Sequence, residues 1–139
     1  VAVPYVPGRA FATNGSSLMR TDDLGCSWHL IGAPASTSQS ILPAPVAQPI
    51  DGLLRFPANL TITDIAAPSS ATQSSDVYVG GTLVSALKHQ PEVYAVTEDG
   101  HMLERSNGLP SSGDLQDVTA VAYAPNDVYA NVTVTFAIS

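Results

Sequence analysis

The chain has 139 residues, 45% hydrophobic and only 12% charged, with a net charge of −7 and five basic residues in all. That length suits one domain with a core of its own. Arg9, Arg20, Arg55, Lys88 and Arg105 are scattered and form no cationic face, so nucleic-acid binding is excluded and an anionic membrane surface disfavoured.

The scarcity of charge leaves Ser, Thr, Asn, Gln and Gly to cover the surface, a composition common in exported proteins. No apolar run approaches the ~18 residues of a membrane span. Val1 opens directly into strand-like sequence with no basic leader, and the start Val-Ala-Val-Pro, without Met, reads as processed or excised. Sequons stand at Asn14, Asn59 and Asn131, and short matches of this kind arise readily by chance in a Ser/Thr-rich chain. Cys26 is the lone cysteine, so no internal disulfide forms; it reads as a half-buried thiol, or as a bridge to another chain.

Helical periodicity is nearly absent, and eleven prolines oppose long helices. Short runs rich in Val, Ile, Tyr and Thr, broken by Gly, Pro, Asn and Asp, predict strands. The first four fall at 1–6, 9–13, 17–21 and 27–31, with Asn14-Gly15 as a hairpin turn. Residues 32–49, dominated by Ala, Pro, Ser, Thr and Gln, read as an irregular connection. Strands resume at 60–66, 77–80, 83–86, 92–97, 102–105, 118–123 and 128–138, and Glu98-Asp99-Gly100 marks a second tight hairpin. Residues 85–89 are compatible with one helical turn. The resulting division is 1–34 as blade-like hairpins, 35–58 as linker and 59–139 as further strands.

Two internal echoes are visible. Thr63-Asp64-Ile65-Ala66-Ala67-Pro68 followed by Asp76-Val77-Tyr78-Val79 resembles Thr119-Ala120-Val121-Ala122-Tyr123-Ala124-Pro125 followed by Asp127-Val128-Tyr129-Ala130. Leu18-Met19-Arg20-Thr21 is echoed by Leu103-Glu104-Arg105-Ser106, a spacing of about two units of ~40–45 residues or of one unit with a long insertion.

The segment with the clearest chemistry is Thr21-Asp22-Asp23-Leu24-Gly25-Cys26-Ser27-Trp28. A short carboxylate such as Asp23 accepts backbone N–H groups within its own turn. Gly25 takes the positive φ that closes it. Thr21 and Ser27 add hydroxyl bonds, and Trp28 is expected to cap the loop, burying on the order of 200 Å². These roles stabilise a turn and perform no chemistry.

Thr21, Asp23, Gly25, Ser27 and Trp28 fill every specified position of Ser/Thr-x-Asp-x-Gly-x-Ser/Thr-Trp. The segment thereby resembles the Asp-box of the BNR-repeat β-propellers, which include sialidases, xyloglucanase-type glycoside hydrolases and sortilin-like receptors. The resemblance is specific over residues 9–31 and looser over 60–139, where the Ser106 unit looks like a decayed box. It implies an all-β chain forming a β-propeller segment of antiparallel blades, about three of them; a small β-sandwich carrying one such hairpin is the alternative. It also implies an extracellular, periplasmic or cell-surface location.

The function this implies is a non-catalytic binding or assembly platform. Another protein chain, further copies or sequence beyond these residues would complete the sheet or ring, and a carbohydrate ligand is compatible. A piece of a propeller glycoside hydrolase is the alternative. No sialidase-like catalytic set can be carried over: Arg20 and Arg105 precede the box and its copy, and Tyr78, Tyr94 and Tyr129 sit in apolar strand runs. For a facing-carboxylate hydrolase the best pair is Asp64 and Asp117, near the starts of equivalent strands. Asp51, Asp76, Asp114 and Asp127 adjoin turns and need no further role. His29, His89 and His101 lack ligand spacing, and Asp22-Asp23 lacks the alternating oxygens of a calcium loop, so no metal and no cofactor is expected. The uncharged run after Asp127 is expected to lie in an interface.

Overall fold

The computed structural model describes residues 1–35, 53–68, 75–86, 88–97, 100–110, 115–124 and 127–135. Among them the chain is all-β, with ten strands, no helix, and so no helix long and apolar enough to cross a membrane. The first sheet contains β1 (Ala10–Thr13), β2 (Leu18–Thr21), β3 (His29–Pro34) and β4 (Leu54–Phe56), side by side in that order. The second is an antiparallel meander of β5 (Leu60–Ala66), β6 (Ser75–Val84), β7 (His89–Thr97) and β8 (Met102–Glu104). A hairpin of β9 (Leu115–Ala124) and β10 (Asp127–Thr135) completes the set. None of the three closes on itself.

The layers follow from side-chain alternation. On β6, Val77 and Val79 point into a core shared with the first sheet, where Phe11, Leu18 and Phe56 meet Ile62, Tyr94 and Val96. Phe56 and Tyr94 pack edge to face with ring centroids 6.1 Å apart, an arrangement worth about 1 kcal/mol beyond area burial. Tyr78, between those valines, points the other way, into a second core with Val93, Ala95, Val118 and Val121. The second sheet is thus buried on both faces, which explains its near-continuous apolar runs.

The echo in the sequence is an echo in hydrogen-bond register. In β5–β6, Ala66 faces Tyr78, Ile65 faces Val79 and Asp64 faces Gly80; a bulge follows at Thr63, and Ile62 faces Gly81. In β9–β10, Ala122 faces Tyr129, Val121 faces Ala130 and Ala120 faces Asn131; a bulge follows at Thr119, and Val118 faces Val132. Each bulge inserts one residue and resets the alternation, so Ile62 and Ile65 meet the first sheet while Val118 and Val121 meet the second. The equivalent amides are each engaged across the layer contact, by different acceptors. Ile62 N–H donates to the Gly15 carbonyl at 2.7 Å, and Val118 N–H donates to Thr82 Oγ1 at 3.1 Å. The hairpin therefore sits on the second sheet as the second sheet sits on the first.

Several boundaries differ from the sequence reading. Residues 1–6 form no strand: Pro4 interrupts them, Pro7 follows directly, and only Ala2 bridges to Ala10. The runs 77–80 and 83–86 are parts of one strand, β6, which passes through Gly80-Gly81. Leu54–Phe56, inside the stretch assigned as linker, pairs in parallel with β3 and buries Leu54 and Phe56. Between β6 and β7 lies a turn in which Ser85 N–H donates to the Lys88 carbonyl at 2.9 Å. Most of the connection 32–49, the turn residues Glu98 and Asp99, the residues Asp51 and Asp114, and the end of the last predicted strand lie outside the described residues.

Candidate functional site

The loop from Thr21 to Trp28 joins β2 to β3 and is organised around one carboxylate. Asp23 Oδ1 accepts the Thr21 hydroxyl at 2.7 Å and the Ser27 N–H at 2.9 Å. Its Oδ2 accepts the Ser27 hydroxyl at 2.6 Å. Thr21 Oγ1 in turn accepts the Gly25 N–H at 3.0 Å. Leu24 and Gly25 both take positive φ, 63° and 90°, and the first is a costly choice for a side chain with a Cβ. The hydrogen bonds from Ser27, then from Thr21, hold the Asp23 carboxyl well below the usual carboxylate range.

The N-terminal segment is tied to this loop. Gly8 accepts the Leu24 N–H at 3.0 Å. Arg9 Nε donates to Asp22 Oδ1 at 2.6 Å and Arg20 Nε to Oδ2 at 3.0 Å. The Arg9 hydrogen bond is the main cause of the lowered Asp22 pKa. Between segment and loop lies a groove of about 260 Å³ with apolar walls that include Val6, Leu24 and Trp28; Arg9 and Thr21 supply its polar side chains.

Trp28 corrects an expectation. Its ring lies beside Gly25 and the groove and stays 44% exposed, not buried beneath the loop. The reason is positional: Trp28 precedes β3, and the core against the first sheet is already filled by Phe11, Leu18 and Phe56. Cys26 is likewise exposed, with a free thiol, where a half-buried one was expected.

Asp64 has both carboxylate oxygens engaged. Oδ1 accepts the N–H of Ile65 and Oδ2 that of Val121, both at 2.9 Å. By register these are equivalent amides of successive units, so Asp64 clamps the hairpin onto the second sheet. Asp117 lies on β9 opposite Thr133, four positions before Val121, which is about 13 Å of extended strand at ~3.3 Å per residue. Its side chain is outside the described residues. Glycosidase carboxyl pairs stand about 5–9.5 Å apart; among the described residues the Asp64 oxygens face backbone amides.

Ser106 is placed differently from Thr21. It donates to the buried Glu92 at 2.8 Å and accepts the Val93 N–H at 3.1 Å, bracing β7. The turn that does share a bond with the Thr21 loop follows Thr97. Thr97 Oγ1 accepts the His101 N–H, four residues on, at 3.0 Å, as Thr21 Oγ1 accepts that of Gly25. Gly100 again has positive φ. Sequence reading missed this equivalence because the later turn is shorter and lacks a Trp. It also missed Thr82, although Asp-Val-Tyr followed four residues later by Thr recurs at 76–82 and 127–133.

Of the three sequons, Asn14 and Asn59 are exposed; Asn14 Oδ1 accepts the Ser16 and Ser17 N–H groups, Asn59 donates to the Val84 carbonyl at 3.1 Å, and the side chain of Asn131 lies outside the described residues. No group of three or more His, Cys, Asp or Glu side chains is placed to hold a metal ion among the described residues. Comparison with protein-family models, curated proteins and solved structures found no match.

Proposed function

We propose that the chain is an exported β-propeller-type module that acts as a non-catalytic binding or assembly platform. The observation that carries this reading is the repeated stacking: hairpin on second sheet, second sheet on first, with the same register and bulge and the equivalent amide engaged across the layer each time. Head-to-tail stacking of this kind generates a ring where the rotation closes and a filament where it does not. The second sheet is a four-stranded antiparallel meander in chain order, as a propeller blade is. The likeness of Thr21–Trp28 to an Asp-box, and its self-contained hydrogen bonding, support the same reading.

Asp64, the best catalytic candidate, spends its carboxylate on two backbone amides, which favours the platform over a hydrolase. The test is hydrolysis of fluorogenic sialosides and β-glucosides and of xyloglucan oligosaccharides, with Asp64→Asn as control. The expected result is no turnover by either protein. Turnover by the native chain that Asp64→Asn abolishes would overturn the proposal.

A further inference from the structure

Among the described residues, no further layer lies over the outer face of the β9–β10 hairpin. Tyr129 occupies on β10 the register position that Tyr78 occupies on β6. Tyr78 is 8% exposed, because the β9–β10 hairpin lies over it, whereas Tyr129 is 59% exposed. Thr133 likewise holds the position of Thr82, the residue that receives an amide of the overlying strand. The two residue types with which β6 meets its neighbour thus recur on β10.

At the other end, the first sheet has an outer face of the opposite kind. Ala12, Met19 and Leu30 are directly paired across β1, β2 and β3. They alternate with Phe11 and Leu18, which face the second sheet. Leu30 is 49% exposed on that outer face. One molecule therefore carries an exposed apolar residue on each outer face, Tyr129 at one end of the layers and Leu30 at the other.

Resting on the platform reading, we infer that the occupant of the Tyr129 face is the outer face of the first sheet of a second copy, so that copies add head to tail. The contact continues the direction of stacking already present inside the chain. A heterologous contact of this kind uses both exposed faces at once, and a two-fold contact uses only one of them.

The test is mass by light scattering and native mass spectrometry over about two decades of concentration, on the native chain, Tyr129→Asp and Leu30→Asp. Both substituted positions are about half exposed, so the cores remain intact, and circular dichroism checks this. The native chain is expected to show species above monomer that grow with concentration. Each variant alone is expected to be monomeric, and an equimolar mixture of the two to give a one-to-one dimer, since each retains the face the other lost. A native chain that stays monomeric throughout would overturn the inference. So would a Leu30→Asp protein that still dimerises, because that makes the Tyr129 contact two-fold. In either case a retained Gly80–Val121 contact by nuclear Overhauser spectroscopy leaves the platform reading standing, and its loss removes both.

Discussion

Gly80→Ala probes the layer contact at its tightest point. A Cβ built on Gly80 falls 1.8 Å from Val121 Cγ2 and 3.1 Å from Val118 Cγ1, against an optimum of about 3.5–4.0 Å between carbons. Both obstacles are branched side chains on a buried strand, and neither has a flexible end to swing aside. Overpacking of this kind costs up to about 3 kcal/mol. Replacing a strand glycine by alanine would otherwise gain about 0.5–1 kcal/mol. The net expectation is a loss of about 2 kcal/mol, or a Tm lower by roughly 6–10 °C at ~3–5 °C per kcal/mol for a chain of this size. Urea unfolding provides the assay, with the shift expected in the midpoint and not in the slope. Val121→Ala alone should cost about 2 kcal/mol. The double variant should cost at least ~1 kcal/mol less than the sum, because the new methyl enters the space the valine vacates. A neutral or stabilising Gly80→Ala would refute the packing of β9 on β6.

Other expectations follow from individual bonds. Asp64→Ala strips the Val121 N–H of its acceptor, so stability should fall by about 1–3 kcal/mol and Val121 amide exchange should accelerate. Thr82→Val does the same to Val118 N–H, while Thr82→Ser keeps the acceptor and should recover most of the loss, both measurable by urea unfolding. The folded Asp23 carboxyl titrates below its ordinary 3.8. The unfolded chain therefore takes up the proton first as pH falls through that value, and stability present above it is lost below it. Asp23→Asn should flatten the fall in Tm between about pH 5 and pH 2. Leu24→Asn should raise stability by about 0.5–1 kcal/mol, since Asn tolerates the left-handed backbone that Leu24 adopts; thermal melts decide it.

The limits of sequence reading have physical causes here. β5 was legible to the residue because apolar and polar side chains alternate from Leu60 to Thr63, directly after the Pro57-Ala58-Asn59 turn. β6 read as two pieces because Gly80-Gly81 looks like a breaker. In the fold those glycines admit Val121 on one side and the Thr61 carbonyl on the other. β4 was hidden by its three-residue length and its polar, Pro-rich surroundings; its partner β3 supplies the pairing that local sequence does not. Residues 1–6 form an apolar run like that of a strand, yet Pro4 within it and Pro7 after it deny it a ladder. At the candidate site, the bonds around Asp23 follow from residue types within one turn. The burial of Trp28 depends on what fills the core beneath it, which no local pattern records. The role of Asp64 depends on an amide more than fifty residues away in sequence, and only the Ala-Pro and Asp-Val-Tyr echo pointed toward it.

The stacking of β9–β10 on the second sheet in the register of β5–β6 is tested most directly by nuclear Overhauser spectroscopy on the labelled chain. The expected result is strong cross-peaks from the Gly80 α protons to the Val121 and Val118 methyls, with Ile62 N–H close to Gly15 at the equivalent place one layer below. Gly80 α protons that see only their own sheet, with Val121 N–H exchanging as fast as an exposed amide, would contradict the account.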